Sequence, residues 1–199
     1  MSRLPGRNFF FQPGPTNIPD SVLAAMHRPS VDFNSPGFRT LQGNCHDRLK
    51  DIFRTRQHLV VHIANGHGAR ESAMANTCAP GDHVLMPETG FFSTYWAKLC
   101  TAIGLDVETV PGDWQDGIDL ERLAETLRQD QDGRLKAVCV VQNETSTGVT
   151  NDIAAVRAAL DAAGHKALLL VDTISSLGSI DFRMDDWGVE VAVGGSQKG

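Results

Sequence analysis

The sequence predicts an α/β protein in which a mostly parallel β-sheet carries helices on both faces. Short apolar runs alternate with segments of helical period over most of the chain, which is the pattern of repeated β-α units. Two runs, KAVCVVQ at 136–142 and ALLLVD at 167–172, are apolar almost throughout, as strands are when both faces of a parallel sheet are covered. The 199 residues include 41% hydrophobic and 21% charged residues, a composition that supports a globular domain with a buried core.

Residues 1–57 are predicted to form an N-terminal arm followed by helices. The segment FFFQPGPTNIP at 9–19 is rich in proline, so we expect it to be extended rather than helical. A short helix is expected from Asp20 and ends before Pro29, and a longer amphipathic helix covers about 38–54.

Residues 58–199 are predicted to form the sheet and its covering helices. In chain order the expected strands are HLVVHIA, DHVLMP, LDVETV, KAVCVVQ, ALLLVD and VEVAVGG, and the expected helices are ARESAMANT, FFSTYWAKLCTAI, DLERLAETLRQ and DIAAVRAALDAAG. His58 and His62 lie on the first expected strand, where we interpret them as a rim and a core histidine. No third ligand accompanies them in the sequence, so we expect no metal site.

Charge and composition disfavour several classes of function. The 18 Lys and Arg against 24 Asp and Glu give a net charge of −6, without the basic runs that bind nucleic acid. No apolar stretch approaches the roughly 20 residues of a membrane helix, and the first residues lack a signal-peptide core, so we expect a cytoplasmic protein. The four cysteines contain no C-x-x-C pair and are expected to be reduced and mostly in the core.

The glycine-rich segment NGHGARE at 65–71 opens an expected helix at the carboxyl edge of the sheet. Such a turn aims backbone N–H groups and the positive end of the helix dipole at an anion, although small residues there also permit tight packing alone. The match to G-x-G-x-x-G is incomplete because Glu71 stands where the third glycine belongs, while Glu88 lies near the distance of a ribose-binding acid. An NAD-binding oxidoreductase therefore remains a weak alternative.

Two charged residues end neighbouring expected strands. Asp172 closes a buried run, where its carboxylate either pairs with a cation such as a pyridinium or caps the next turn through Thr173 and Ser175. Lys198 follows GGSQ, and it is either a solvated lysine or one that forms a Schiff base with an aldehyde. Together with the NGHG turn, these residues are the three elements that pyridoxal phosphate requires, for its ring nitrogen, its aldehyde and its phosphate.

Longer motifs strengthen this interpretation. They are PGRN and PGPTNIPD near the start, PGD at 80–82, NETSTGVTNDIAAVRAALDAAGH from 143, LLLVDTISSLGSIDFRMDDWGV from 168, and GGSQKG at the end. Through them the chain resembles, over essentially its whole length, the class V aminotransferases of the fold-type I pyridoxal-phosphate enzymes. It looks most like the serine–glyoxylate and alanine–glyoxylate aminotransferases. The resemblance implies the large cofactor-binding domain of these enzymes, ending just after the Schiff-base lysine.

The resemblance also implies residue roles. Lys198 matches the lysine that holds the cofactor covalently and moves a proton at the substrate Cα, and Asp172 matches the aspartate on the pyridine nitrogen. The implied cofactor contacts are Asn65, Gly66 and His67 in the phosphate-binding turn, Gln197 beside the phosphate, Phe92 stacked on the ring and Thr145 near the ring oxygen. The arm residues Pro15, Thr16 and Asn17 would line the substrate side.

The activity implied by the resemblance is transamination of serine or alanine with glyoxylate, in a homodimer. Aspartate as the amino donor and a non-catalytic, truncated partner protein are the alternatives. The family's small C-terminal domain and its substrate-carboxylate arginine would lie beyond Gly199. Close relatives often have S-G-T-G where this chain has N-G-H-G, and many have D-H-R-S where it has D-F-N-S at 32–35.

Overall fold

The computed structural model describes residue 9 and residues 11–198, and this part contains six helices and one five-stranded sheet. The helices are α1 (Asp20–Met26), α2 (Pro36–Phe53), α3 (Gly66–Thr77), α4 (Phe91–Ala102), α5 (Leu120–Gln129) and α6 (Ile153–Ala162). The strands are β1 (His83–Pro87), β2 (Asp106–Val110), β3 (Leu135–Val141), β4 (Leu168–Asp172) and β5 (Val191–Val193). All pairs in the order β2-β1-β3-β4-β5 are parallel, which confirms the predicted fold class.

The sheet buries a hydrophobic core on each face because successive side chains of a strand point in opposite directions. In β3, Val138 and Val140 pack with buried leucines of α5 and α6, whereas Ala137 and Cys139 pack with α3 and α4. Trp96 of α4 is fully buried in the second core. Covering helices on both faces account for the continuously apolar sequence of β3 and β4.

Side-chain caps fix where four of the helices begin. The residues Ser35, Asn65, Asp119 and Asp152 precede α2, α3, α5 and α6, and each accepts a hydrogen bond from a backbone N–H in the first turn. A cap of this kind stabilises a helix by about 1 kcal/mol. The cap at Asn65 fixes the start of α3 and with it the position of the glycine-rich turn.

The predicted first strand, HLVVHIA, is not a strand in the structure. Residues 58–64 form no regular secondary structure, and Val60, Val61 and Ile63 are exposed. A strand needs a neighbour for its backbone N–H and C=O groups, and within the described residues no strand pairs with this segment. His58 and His62 are both exposed, so the assignment of one of them to the core was wrong.

The N-terminal helices touch the sheet region mainly where α2 ends. No residue of α1 or α2 is buried, while the backbone N–H of Met184 donates to Phe53 O at 3.1 Å and Thr55 donates to Asp185 at 2.6 Å. The division of the chain after residue 57 stays a prediction. Within the described residues, no helix has the length and apolar character needed to cross a membrane.

The cysteines follow the core prediction only in part. Cys100 and Cys139 are buried, Cys78 is half-buried and Cys45 is exposed on α2. Burial raises the pKa of Cys100 to about 12 and that of Cys139 well above its ordinary value. These two thiols are therefore unreactive core side chains.

Candidate active site

Asp172 lies at the carboxyl end of β4 and is 2% exposed. Its Oδ1 accepts a hydrogen bond from the Ile174 backbone N–H at 2.7 Å, and its Oδ2 forms an ion pair with Nη2 of Arg70. The carboxylate therefore both caps the local turn and pairs with a cation. The turn-capping bond goes to Ile174 rather than to Thr173 or Ser175.

Arg70, on α3, is the cation that the sequence interpretation missed. It is 2% exposed, and its guanidinium carbon lies 5.5 Å from the Phe92 ring centroid and 5.4 Å from that of Trp96. Burial lowers its pKa to about 10, so it stays charged at neutral pH. The spacing in the sequence could have identified it. Arg70 and Met74 are the two buried residues of α3, and residues four apart lie on the same face of a helix.

Lys198 follows β5 and is half-buried in the same region. Its Nζ donates a hydrogen bond to Thr145 Oγ1 at 2.6 Å and lies 5.3 Å from the Phe92 ring centroid. Burial lowers the pKa of Lys198; the carboxylate of Glu144 opposes this shift and the charge of Arg70 adds to it. A lysine with a lowered pKa supplies more neutral amine, which is the nucleophilic form.

The N-terminal arm packs against the segment that carries Lys198. The backbone N–H of Thr16 donates to Gln197 O at 3.0 Å, across 181 positions of sequence. A Cβ placed on Gly14 would lie 2.6 Å from Cγ of Lys198, so the arm approaches too closely for a larger residue. Pro15 is exposed and Asn17 is half-buried, and they flank Thr16 at this contact.

The first turn of α3 forms the glycine-rich part of the site. Asn65 Oδ1 accepts from Gly68 N–H at 3.1 Å, and Gly66 packs on Ile174, whose Cδ1 lies 3.0 Å from the position of an added Cβ. The amides of Gly66 and His67 belong to the first turn, where a helix offers them no internal acceptor. They are available to an anion, which the helix dipole also favours.

His67 lies within a cluster of aromatic rings. Its ring centroid is 4.4 Å from that of Tyr95 and 6.3 Å from that of Phe92, which it faces at an interplanar angle of 20°. Burial, assisted by the charge of Arg70, lowers its pKa, so the imidazole is neutral at pH 7. Its buried Nδ1 has no hydrogen-bond partner among the described residues.

Glu144 is a second residue whose role the sequence did not reveal. It is fully buried, and its Oε2 accepts from the backbone N–H groups of Phe92 and Ser93 at 3.0 and 3.3 Å. Its Oε1 accepts from the N–H and Oγ of Ser146 at 3.0 and 2.8 Å. Glu144 thus caps α4 from the loop after β3 and fixes the helix that carries Phe92.

The sequence of the chain matches a known protein family. Residues 8–199 match the sequence profile of the family described as "Aminotransferase class-V". The chain belongs to the class V aminotransferases. Pyridoxal phosphate is the cofactor that membership of this family implies.

This class V aminotransferase is 46% identical over 195 residues to a serine–glyoxylate aminotransferase of Arabidopsis thaliana, covering 98% of this chain and 49% of the relative. It is also 46% identical over 194 residues to an L-aspartate–glyoxylate aminotransferase of Paracoccus denitrificans, covering 97% and 49%. The crystal structure of an alanine–glyoxylate aminotransferase from Nostoc sp. matches with a TM-score of 0.88 at 32% identity, over 100% of this chain and 52% of that chain. The chain therefore spans about half the length of the curated relatives it matches.

The residues of this class V aminotransferase fit pyridoxal phosphate. The buried Nδ1 of His67 has no hydrogen-bond partner among the described residues, and the first amides of α3 have no acceptor within the helix, so these groups could bind the phosphate. Asp172 supplies a carboxylate for the ring nitrogen, and Lys198 supplies an amine for the aldehyde. The dinucleotide alternative loses its basis, because the described residues before the glycines contain no strand and Glu88 instead accepts from Trp114 Nε1 at 2.9 Å. In the part of the chain that the structure describes, no cluster of three or more ligating side chains suits a metal.

Proposed function

We propose that this protein transfers the amino group of a small L-amino acid, serine or alanine, to glyoxylate, using pyridoxal phosphate. The products are glycine and a 2-oxo acid. The observation that carries the proposal is the convergence of Lys198 and Asp172, from neighbouring parallel strands, with the Phe92 ring and the α3 turn. Serine–glyoxylate and L-aspartate–glyoxylate aminotransferases among the relatives support glyoxylate as the acceptor.

Aspartate is the second candidate donor, because the relative from Paracoccus denitrificans is as similar as the plant serine enzyme. The described residues around Lys198 include the carboxylate of Glu144 and the cation Arg70, but both are buried and already paired. These two side chains therefore do not distinguish aspartate from serine or alanine as the amino donor, and a transamination assay with each amino acid does.

Each residue of the site has a distinct task in this proposal. Bound here, pyridoxal phosphate would supply an aldehyde for the amino group and a ring that accepts electrons from the substrate Cα. Lys198 holds the cofactor and then moves a proton at Cα, a task helped by its lowered pKa. Thr145 orients the Lys198 amine through their 2.6 Å hydrogen bond. Asp172 binds the ring nitrogen, and Phe92 provides a flat apolar surface for the ring.

The phosphate of the cofactor is assigned to the first turn of α3. The amides of Gly66 and His67, beside the Asn65 cap, supply donors there, and the neutral His67 imidazole adds another. Gln197 is proposed beside the phosphate. Pro15, Thr16 and Asn17 are proposed on the substrate side, next to Lys198.

The complete protein is proposed to be a cytoplasmic homodimer. The surface formed by α1, α2 and the loop between them supports the dimer, because it exposes the apolar side chains of Val22, Leu23, Met26, Phe33 and Leu41. Apolar patches of this kind mark surfaces that another protein covers. Light scattering of the purified protein tests the dimer directly.

The deciding experiment is borohydride reduction of the protein with pyridoxal phosphate, followed by peptide mass mapping and a transamination assay with serine, alanine and aspartate. We expect an adduct on Lys198 and glycine formation from glyoxylate. Lys198→Ala removes the adduct, while Lys166→Ala, an exposed lysine before β4, keeps it. An adduct without transamination would identify a non-catalytic partner protein. A folded protein with no adduct at Lys198 would overturn the proposal.

A further inference from the structure

The ion pair between Arg70 and Asp172 has a consequence for the cofactor that Asp172 is proposed to bind. We infer that Arg70 is a positioning residue. Its guanidinium and the ring nitrogen of pyridoxal phosphate both bind the Asp172 carboxylate, and the ring nitrogen therefore loses its proton at a lower pH than it would without Arg70. The inference rests on the proposed cofactor site.

Asp172 has enough acceptor capacity to be shared. An ionised carboxylate offers about four lone-pair sites. The Ile174 N–H uses one on Oδ1, and Arg70 uses one on Oδ2. A lone pair remains on each oxygen, so the acceptor capacity of Asp172 does not require a ring N–H to displace Arg70.

Arg70 is held in this position by more than the carboxylate. Its guanidinium lies against the rings of Phe92 and Trp96, and Nη1 donates to Phe92 O at 3.4 Å. The Nε atom is buried and has no partner among the described residues. Because Arg70 is 2% exposed and packs against two aromatic rings, we expect its charge to stay beside Asp172 when the cofactor binds.

The charges around Arg70 determine whether Arg70 favours or disfavours protonation of the ring nitrogen. The groups that face this region are His67 on the same helix, Cys100 on α4, Asp172 on β4, Glu144 after β3 and Lys198 after β5. Asp172 alone would stabilise a protonated ring by a full negative charge. Paired with Arg70 it presents a nearly neutral unit, so the protonated ring gains less. Burial is the main cause of the lowered pKa values of Lys198 and His67, and the charge of Arg70 lowers both pKa values further.

The test is the protonation of the ring nitrogen, read from the nitrogen-15 chemical shift of labelled pyridoxal phosphate on the protein as pH is raised. In Arg70→Met we expect the ring nitrogen to lose its proton at a pH higher by about one unit or more than in the unaltered protein. Arg70→Lys, which restores a positive charge, should return the midpoint toward the original value. Arg128→Met, at an exposed ion pair with Glu125, is the matched control and should leave it unchanged.

A measurement on the unaltered protein covers the case in which Arg70→Met does not fold. The guanidinium nitrogen signals of Arg70, assigned by their loss in Arg70→Lys, should shift when the cofactor binds. If the adduct maps to Lys198 but the Arg70 signals do not shift on cofactor binding, or the ring titration of a folded Arg70→Met protein equals that of the unaltered protein, the inference is overturned and the proposed function stands. If no cofactor attaches to Lys198, the proposed function fails and the inference fails with it.

Discussion

The carboxylate of Glu144 accepts the backbone N–H of Phe92 at 3.0 Å, so the loop after β3 determines where the aromatic ring of the site lies. Gly90, just before α4, leaves no room for a Cβ against the Glu144 side chain. Glu144 therefore fixes the start of the helix that carries Phe92, whose ring lies 5.3 Å from Lys198 Nζ and 5.5 Å from the Arg70 guanidinium carbon.

Glu144→Ala should destabilise the protein by about 2–5 kcal/mol, because it leaves the half-buried N–H of Phe92 and the buried N–H of Ser93 without acceptors. Glu144→Gln keeps one carbonyl acceptor and should cost less. Urea unfolding measures both values. Glu125→Ala, at an exposed position on α5, is the control and should change stability by less than about 0.5 kcal/mol. Equal effects at the two positions would contradict the capping role of Glu144.

Removing one partner of the Arg70–Asp172 pair should cost more than removing both. Asp172→Asn leaves a buried cation unpaired and should destabilise the cofactor-free protein by about 3–5 kcal/mol. Adding Arg70→Met should recover more than about 1 kcal/mol of that loss. A double-mutant cycle by chemical denaturation checks the coupling, and strictly additive effects would argue against it.

Attachment of the cofactor to Lys198 should have a pH midpoint below the ordinary pKa of lysine. Burial lowers the pKa of Lys198, so the neutral amine forms at lower pH and attachment becomes faster as pH rises through that lowered value. Glu144 raises this pKa, so Glu144→Gln should move the midpoint to still lower pH. Stopped-flow absorbance with pyridoxal phosphate measures it. A midpoint at the ordinary lysine value would show that Lys198 is solvated.

Gly14→Ala should slow cofactor attachment to Lys198, because the added Cβ would lie 2.6 Å from Lys198 Cγ and Gly14 has a φ of +140°. Gly43→Ala is the matched control, since an added Cβ there meets nothing within 4 Å. In the middle of α2 this change should stabilise the helix by about 0.5–1 kcal/mol and leave attachment unaltered. Mass spectrometry of the borohydride-reduced protein at timed intervals compares the two. The contact between the arm and Lys198 is disproved if Gly14→Ala reacts at the original rate.

Local sequence determined most of the secondary structure of this protein. Periodicity and caps act over a few residues, so β1 to β5 and all six helices follow from patterns that the sequence displays directly. The parallel arrangement also follows, because continuously apolar strands alternate with helices. The sequence predicts Asp172 and Lys198 as site residues for a similar reason: Asp172 ends an apolar strand, and Lys198 follows the next strand after a glycine-rich segment.

Tertiary structure alone decided the partners of those residues. Arg70 and Asp172 are 102 positions apart, Phe92 and Glu144 are 52 apart, and Thr16 and Gln197 are 181 apart. No local pattern encodes such pairings, since they depend on how the helices pack on the sheet. The segment HLVVHIA gives the converse case: its composition suits a strand, but strand formation depends on a neighbouring strand, and in the described residues none lies beside it.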